Sequence, residues 1–293
     1  MKTITILSGK GGVGKSTISA SLALVLAQKE KIVAVDCDVD AANLALLFGI
    51  KSLKNKEIIS TNYKAFVNKE AKKCKNIVDN CAFDAITWNE KKEIPQINEF
   101  LCEGCGTCKL LCPDGIVIRK INNAVIGEQE TKYGFPIVSG QLKMGESGSG
   151  NVVSVVKERA TELAEKTGSN FLVVDSAPGI GCPVIASVKG SDYVVAVTEP
   201  TPAAFSALKR ALEVVEHFGV SYGIVINKWD MNKRFVKNIE DFAKRKNIKI
   251  IKKIPYSKDF IQAILLMKPV IEVNSDYKKL FEDIVKEVKQ EIK

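Results

Sequence analysis

The chain has 293 residues, 46% of them hydrophobic and 26% charged, with a formal charge of +9. This is ordinary globular composition, and the length allows one α/β domain plus an insertion. No apolar run approaches the ~18–20 residues that cross a bilayer, and Met1 leads directly into the first strand, so a cytoplasmic address is expected. The basic patches Lys51–Lys56, Lys69–Lys75 and Lys244–Lys253 carry no interleaved aromatics, so a nucleic-acid partner is not expected.

Thr3–Ser8 alternates and then runs apolar, which predicts a buried first strand. Gly9–Thr17 follows as Gly-Lys-Gly-Gly-Val-Gly-Lys-Ser-Thr, a phosphate-binding loop of the form G-x-x-x-x-G-K-[S/T] with a second lysine, Lys10, near its start. Ser16–Gln28 is a strong helix former with Ile18, Leu22, Val25 and Leu26 at helical spacing. Strand, glycine loop and helix together aim backbone N–H groups and the helix dipole at a polyphosphate. Ser16 is the expected Mg²⁺ ligand of such a loop.

Lys31–Asp36 is a second predicted strand, ending in Asp36-Cys37-Asp38-Val39-Asp40. Asp36 and Asp40 are also candidate caps for a short helix near Ala41. Further strands are predicted at Phe171–Val174, Tyr193–Val197, Tyr222–Asn227 and Lys249–Ile254. Helices are expected near Val152–Leu163, at Ala203–Phe218 and at Asp276–Lys293, with a glycine- and serine-rich return at Gly140–Gly150. Alternation of this kind predicts an α/β, doubly wound, mostly parallel sheet with right-handed crossovers. Ligands of such sheets sit beyond the carboxyl ends of the strands, where Asp36, Asp38, Asp175 and Asn227 fall. The closing helix carries an apolar stripe that fits packing on its own sheet, with lipid contact as the other use.

Residues 56–127 break the rhythm, so the predicted organisation is a first part at 1–55, an insertion at 56–127 and a second part at 128–293. Six of the eight cysteines lie in Cys74–Cys112. Cys102-Glu-Gly-Cys105-Gly-Thr-Cys108-Lys-Leu-Leu-Cys112-Pro113 has the C-x₂-C-x₂-C-x₃-C-P spacing of bacterial ferredoxins, whereas two distant C-x-x-C pairs would indicate zinc. The run is half-repeated upstream, with Cys74 and Cys81 matching Cys105 and Cys112, while Ala71 and Ile77 stand opposite Cys102 and Cys108. In two-cluster ferredoxins the fourth cysteine of each run serves the other cluster. One complete site is therefore expected from Cys81, Cys102, Cys105 and Cys108, holding one 4Fe–4S cluster. Cys74 and Cys112 remain either as thiols at a lost site or as ligands completed by another chain. Cys37 and Cys182 lie outside the insertion, and buried small side chains are their commoner fate, with a redox role for Cys182 as the other reading. His217 ends a helix and is expected to serve its dipole.

The loop, Asp36–Asp40, Asp175-Ser-Ala-Pro-Gly179, Thr198-Glu-Pro-Thr-Pro202 and the inserted cysteines together resemble the MinD/Mrp-type P-loop ATPases containing an inserted ferredoxin domain. The resemblance implies ATP and Mg²⁺ as cofactors, held by Gly11, Gly12, Val13, Gly14, Lys15, Ser16 and Thr17. It implies Lys15 on the β- and γ-phosphates and Lys10 reaching a partner's nucleotide across a dimer. It further implies Asp38 orienting the attacking water, Asp175 near magnesium, Gly179 sensing the γ-phosphate and Asn227 at the adenine. Asn227-Lys-Trp-Asp230 is also similar to the guanine-reading motif of GTPases.

From these features the expected function is an ATP hydrolase working as a dimer, with itself or a related ATPase, in ATP-gated electron transfer to a redox or metallocofactor client. A cluster or metallocofactor assembly carrier ranks next, and MinD-like spatial positioning ranks third.

Overall fold

The computed structural model describes residues 1–292, apart from the Lys73 side chain. The chain divides into two compact units, one of residues 1–57, 126–141 and 149–293, the other of residues 58–125 and 142–148. Segment 142–148, expected in the second part of the larger domain, belongs to the smaller unit.

The chain opens with β1 (Lys2–Ser8), α1 (Lys15–Ala27), β2 (Ile32–Cys37), the short α2 (Leu44–Leu47) and β3 (Lys56–Ile59). The smaller unit contains β4 (Asn62–Val67), 3₁₀ turns at Lys69–Lys73 and Lys75–Ile77, β5 (Ile86–Asn89), β6 (Ile94–Ile97), α3 (Thr107–Leu111) and β7 (Ile116–Ile121). The chain continues with β8 (Ala124–Glu130), β9 (Pro136–Leu142), α4 (Ser149–Thr167), β10 (Phe171–Pro178), α5 (Cys182–Val188) and β11 (Tyr193–Thr198). It ends with α6 (Pro202–His217), β12 (Ser221–Asn227), α7 (Lys233–Arg245), β13 (Lys249–Ile254), α8 (Asp259–Leu265), α9 (Val270–Val273) and α10 (Tyr277–Glu291).

Nine strands form one sheet in the order β13-β12-β11-β1-β10-β2-β9-β8-β3, and the seven from β13 to β9 run parallel. β1 is central, and the chain winds outward from it to both sides, which creates the switch point where α/β sheets bind ligands. On one face α1 and α10 bury Ile18, Leu22, Leu26, Phe281, Ile284 and Val288 against Ile4, Ile6, Val173 and Val195. On the other, α5 and α6 bury Val184, Val188, Ala211 and Val215 against Leu7 and Val194. The stripe of the closing helix is thus part of the core, as packing on its own sheet requires. Among the described residues no helix is long and apolar enough to cross a membrane.

Strand register sets the positions of the acidic side chains. β1 pairs Ile6 with Asp175 of β10, and β10 pairs Asp175 with Asp36 of β2. Two carboxylates therefore stand side by side at the carboxyl ends of adjacent strands.

The expected return at Gly140–Gly150 is only partly one. Pro136–Leu142 forms β9 beside β2, and α4 begins at Ser149. Proline, serine and glycine in that strand mask it, yet Gly140 is needed there: a Cβ would lie 2.4 Å from Val156 Cγ2 of α4.

The smaller unit pairs β4 with β7 and β5 with β6, each antiparallel. Its core gathers Ala65, Ile77, Ala85, Ile86, Ile116 and most of its cysteines.

Candidate functional site

The loop after β1 is shaped by close approaches that only glycine permits. Gly14, just before α1, has φ +93°, and a Cβ there would lie 2.4 Å from Asn227 Nδ2. Gly9 meets the α6 backbone, where a Cβ would lie 2.2 Å from the Ala207 carbonyl carbon. Val13 is buried and pins the loop, leaving Gly11, Gly12, Gly14, Lys15, Ser16 and Thr17 around a cavity of about 430 Å³. Asp38 lines the same cavity, half-buried.

Lys15 is 6% exposed and its Nζ lies 2.7 Å from Asp175 Oδ1. Ser19 Oγ donates to the same oxygen at 2.6 Å, and Lys15 Nζ approaches Ser16 Oγ at 3.4 Å. Asp175 Oδ2 is buried and has no hydrogen-bond partner among the described residues. Burial of an unpaired carboxylate oxygen is unfavourable unless a cation joins it. With the Ser16 hydroxyl nearby, these hard oxygen donors fit Mg²⁺.

Asp36 is buried; its Oδ1 accepts the Asp38 N–H at 3.2 Å and its Oδ2 the Leu44 N–H at 2.9 Å. It is therefore Asp36 that holds the strand-end loop and the start of α2, while Asp40 is exposed. Desolvation, then the Asp175 carboxylate, push the Asp36 carboxyl up to about 7. Burial also raises Asp38, opposed by the Lys15 charge. Lys10 is exposed, and its ammonium has no hydrogen bond or ion pair among the described residues. Gly179 has φ +101°, and its N–H donates to the Ser8 carbonyl at 2.9 Å.

A second cavity of about 180 Å³ adjoins Gly12, Gly14 and Thr17 and is lined by Asn227, Lys228, Tyr256 and Phe260. Asn227 Nδ2 donates to Val13 O at 2.8 Å and its Oδ1 accepts the Lys228 N–H, so the amide ties this wall to the phosphate loop. Lys228 Nζ donates to Gly12 O at 3.1 Å and pairs with Glu199 at 2.8 Å. Asp230 Oδ1 accepts the Tyr256 N–H at 2.6 Å, which fixes the turn after β13. Sequence patterning does not mark Ser19, Lys228 or Glu199 as site residues. Ser19 is one helix serine among several, but Lys228 and Glu199 lie inside the Asn227–Asp230 and Thr198–Pro202 runs, which do carry a signal.

In the smaller unit Cys81, Cys102, Cys105 and Cys108 line one recess. Cys102 Sγ accepts the Ala65 N–H at 3.4 Å. The Thr107 hydroxyl lowers the Cys105 thiol from its ordinary value, while burial raises Cys108. Among the described residues no three His, Cys, Asp or Glu are arranged around a single ion. Cys74 and Cys112 are joined as a disulfide. Of the outlying cysteines, Cys37 is buried, its thiol pushed up to about 12 by desolvation, whereas Cys182 is exposed rather than buried. His217 closes α6 with its ring edge-on to Phe218.

A parallel sheet with a glycine phosphate loop, a buried lysine on that loop and a magnesium-type aspartate define a P-loop ATPase. The CobQ/CobB/MinD/ParA nucleotide binding domain family matches residues 4–270, and the chain belongs to that family. A Methanocaldococcus jannaschii protein of uncharacterized function is 38% identical over 96% of this chain and 95% of its own length. The septum site-determining protein MinD of Thermotoga maritima is 25% identical over 98% of this chain and 88% of its own. Among solved structures, Pyrococcus horikoshii MinD with Mg-ADP has a TM-score of 0.61 at 17% identity, covering 99% of this chain and 96% of that one. MinD in the Aquifex aeolicus MinC:MinD cell division complex gives 0.60 at 18%, covering 99% and 96%.

These matches correct the expected function. MinD-type proteins align along nearly the whole chain, so ATP-gated electron transfer to a redox client, ranked first from the cysteines, is overturned, and the MinD-like alternative fits better. The cysteine spacing carries no information about what the nucleotide switch acts on.

Proposed function

We propose that this chain is a MinD-like molecular switch: Mg-ATP closes two subunits face to face across their phosphate loops, and the closed dimer engages and positions a protein partner. The observation that carries this reading is the contrast between the two loop lysines. Lys15 is buried and paired within its own subunit, while Lys10 is exposed and unpaired, as a cation directed to another subunit must be. Magnesium, when bound, neutralises developing phosphate charge. Ser16 and Asp175 hold it, Lys15 binds the β- and γ-phosphates, Asp38 orients the attacking water, and Gly179 follows the γ-phosphate. Asn227 and the wall it anchors receive adenine.

Light scattering on the hydrolysis-impaired Asp38→Ala variant tests the switch. Dimers are expected with Mg-ATP and monomers with Mg-ADP, and Lys10→Ala should stay monomeric in both. Monomers throughout would overturn the reading.

In this proposal residues 1–57, 126–141 and 149–293 form the ATPase, and the unit of residues 58–125 and 142–148 is a ferredoxin-type module. The four cysteines that line its recess, Cys81, Cys102, Cys105 and Cys108, have the ligand number and spacing of one 4Fe–4S cluster. The N–H donated to Cys102 Sγ favours thiolate there. Anaerobic purification should yield about four irons per chain, lost in Cys105→Ser. Iron-free protein would reject the cluster.

A further inference from the structure

We propose that Cys74 and Cys112 form a reversible thiol–disulfide latch that occupies the place of a second metal site and holds the two cysteine runs together. The two residues are bonded with Cα atoms 5.8 Å apart and 38 positions apart in sequence. The half-repeat supplies them no further ligand. Ala71 and Ile77, which stand where the repeat would place two more ligands, are fully buried. The space is closed as well: a Cβ on Gly115 would lie 2.4 Å from Cys112 Sγ and 2.6 Å from Ala71 Cα. Two sulfurs, with buried alanine and isoleucine at the two other ligand positions, cannot assemble a cluster, and they bond to each other instead.

The bond is placed to act on the recess. Cys74 separates the two 3₁₀ turns, seven residues before Cys81. Cys112 follows α3, which carries Cys108. The latch therefore ties together the segments that present two of the four recess thiols. Access to the bond is one-sided, because Cys74 is half-buried and Cys112 only 2% exposed. A low-molecular-weight thiolate attacks Cys74 Sγ, the S–S bond breaks, and Cys112 leaves as thiolate and takes up a proton. A second thiolate then attacks the external sulfur of the mixed disulfide and releases Cys74. Two external thiols are oxidised to one disulfide while the protein gains two thiols, and oxidation runs the same steps backward.

Equilibration of the anaerobically purified full chain in glutathione buffers of graded poise, followed by acid quench, alkylation and peptide mass spectrometry, tests the pair. The expected result is a Cys74–Cys112 linked peptide in oxidising buffer that converts reversibly to two alkylated cysteines in reducing buffer. Opening should speed amide exchange in 69–81 and 107–116 by about 100-fold. Cysteines alkylated at every poise, a link that no thiol opens, or exchange unchanged by reduction would overturn the latch, as would about eight irons per chain. The pairing does not depend on the cluster reading. Iron-free protein that still shows the reversible link rejects the cluster and keeps the latch, whereas four irons with permanently free Cys74 and Cys112 does the opposite.

Discussion

Lys15 Nζ lies 2.7 Å from Asp175 Oδ1, with both groups nearly sealed from water. The phosphate-loop lysine is thus held by Asp175, and in the proposed switch a triphosphate competes with that carboxylate for the same ammonium. Withdrawal of Lys15 leaves Asp175 with a buried charge, already unpartnered at Oδ2. In the proposed switch, phosphate and Mg²⁺ binding are therefore linked through this one pair.

The linkage has a direct consequence for affinity. ATP should bind at least about tenfold more weakly in chelator than with Mg²⁺, because only the cation replaces Lys15 beside Asp175. Lys15→Ala should also lower folding stability by about 3 kcal/mol, since it strands a buried carboxylate. Fluorescent-nucleotide titration and urea unfolding measure the two effects. Equal ATP affinity with and without magnesium would refute the linkage.

Lys10 is expected to affect turnover and not binding. A cation supplied in trans is worth about 10³–10⁵ in phosphoryl-transfer rate. Lys10→Ala should therefore lose ATPase by at least about 10³-fold while ATP affinity changes little, because its exposed ammonium has no hydrogen bond or ion pair among the described residues. Near-normal turnover in steady-state assays would place the catalytic charge elsewhere.

The loop glycines, the alternating strands and Asp175 are legible in sequence because backbone sterics and periodicity write them locally. The Asp36–Asp175 pairing is not, since register between β2 and β10 is a tertiary property. β9 escapes detection too, because its Gly140 exists to admit Val156 from a helix later in the chain. The thiol recess follows from ligand spacing, yet spacing does not tell that Cys74 and Cys112 bond to each other. The function is misread from sequence for a related reason: a cysteine module states what it can hold, whereas the switch's purpose resides in surfaces that no motif marks.

Asp36 gives the site a pH dependence with a definite sign. Its carboxyl stands near 7 when folded against an ordinary value of 3.8, so the folded state holds the extra proton between those values. Stability from this group is full below about pH 4 and is lost as pH rises toward 7. Asp36→Asn removes the titration, at a pH-independent cost of about 1 kcal/mol for one lost N–H bond. Measured by urea unfolding without nucleotide, the variant should gain on the wild type from pH 5 to pH 8. A wild-type-minus-variant difference that is flat across that range would mean Asp36 is ionised throughout.

Asp230 decides whether the Asn-Lys-Trp-Asp run reads a guanine. In a guanine reader the aspartate accepts hydrogen bonds from the base, but here Oδ1 is taken by the Tyr256 N–H at 2.6 Å. Tyr256 lines the cavity beside the phosphate loop, so in the proposed switch Asp230 would act on the base through the turn it fixes. Asp230→Ala should weaken ATP binding by about fivefold, the worth of roughly 1 kcal/mol of hydrogen bond at an exposed site. The loosened turn also frees Tyr256 to move, so the dissociation rate should rise more than the association rate falls. Preference for ATP over GTP should survive both Asp230→Ala and Asp230→Asn, because neither change removes a group that touches the base. Competition titrations with ATP, GTP and xanthosine triphosphate make the comparison. A swing toward xanthosine triphosphate in Asp230→Asn would show that the carboxylate reads the base directly.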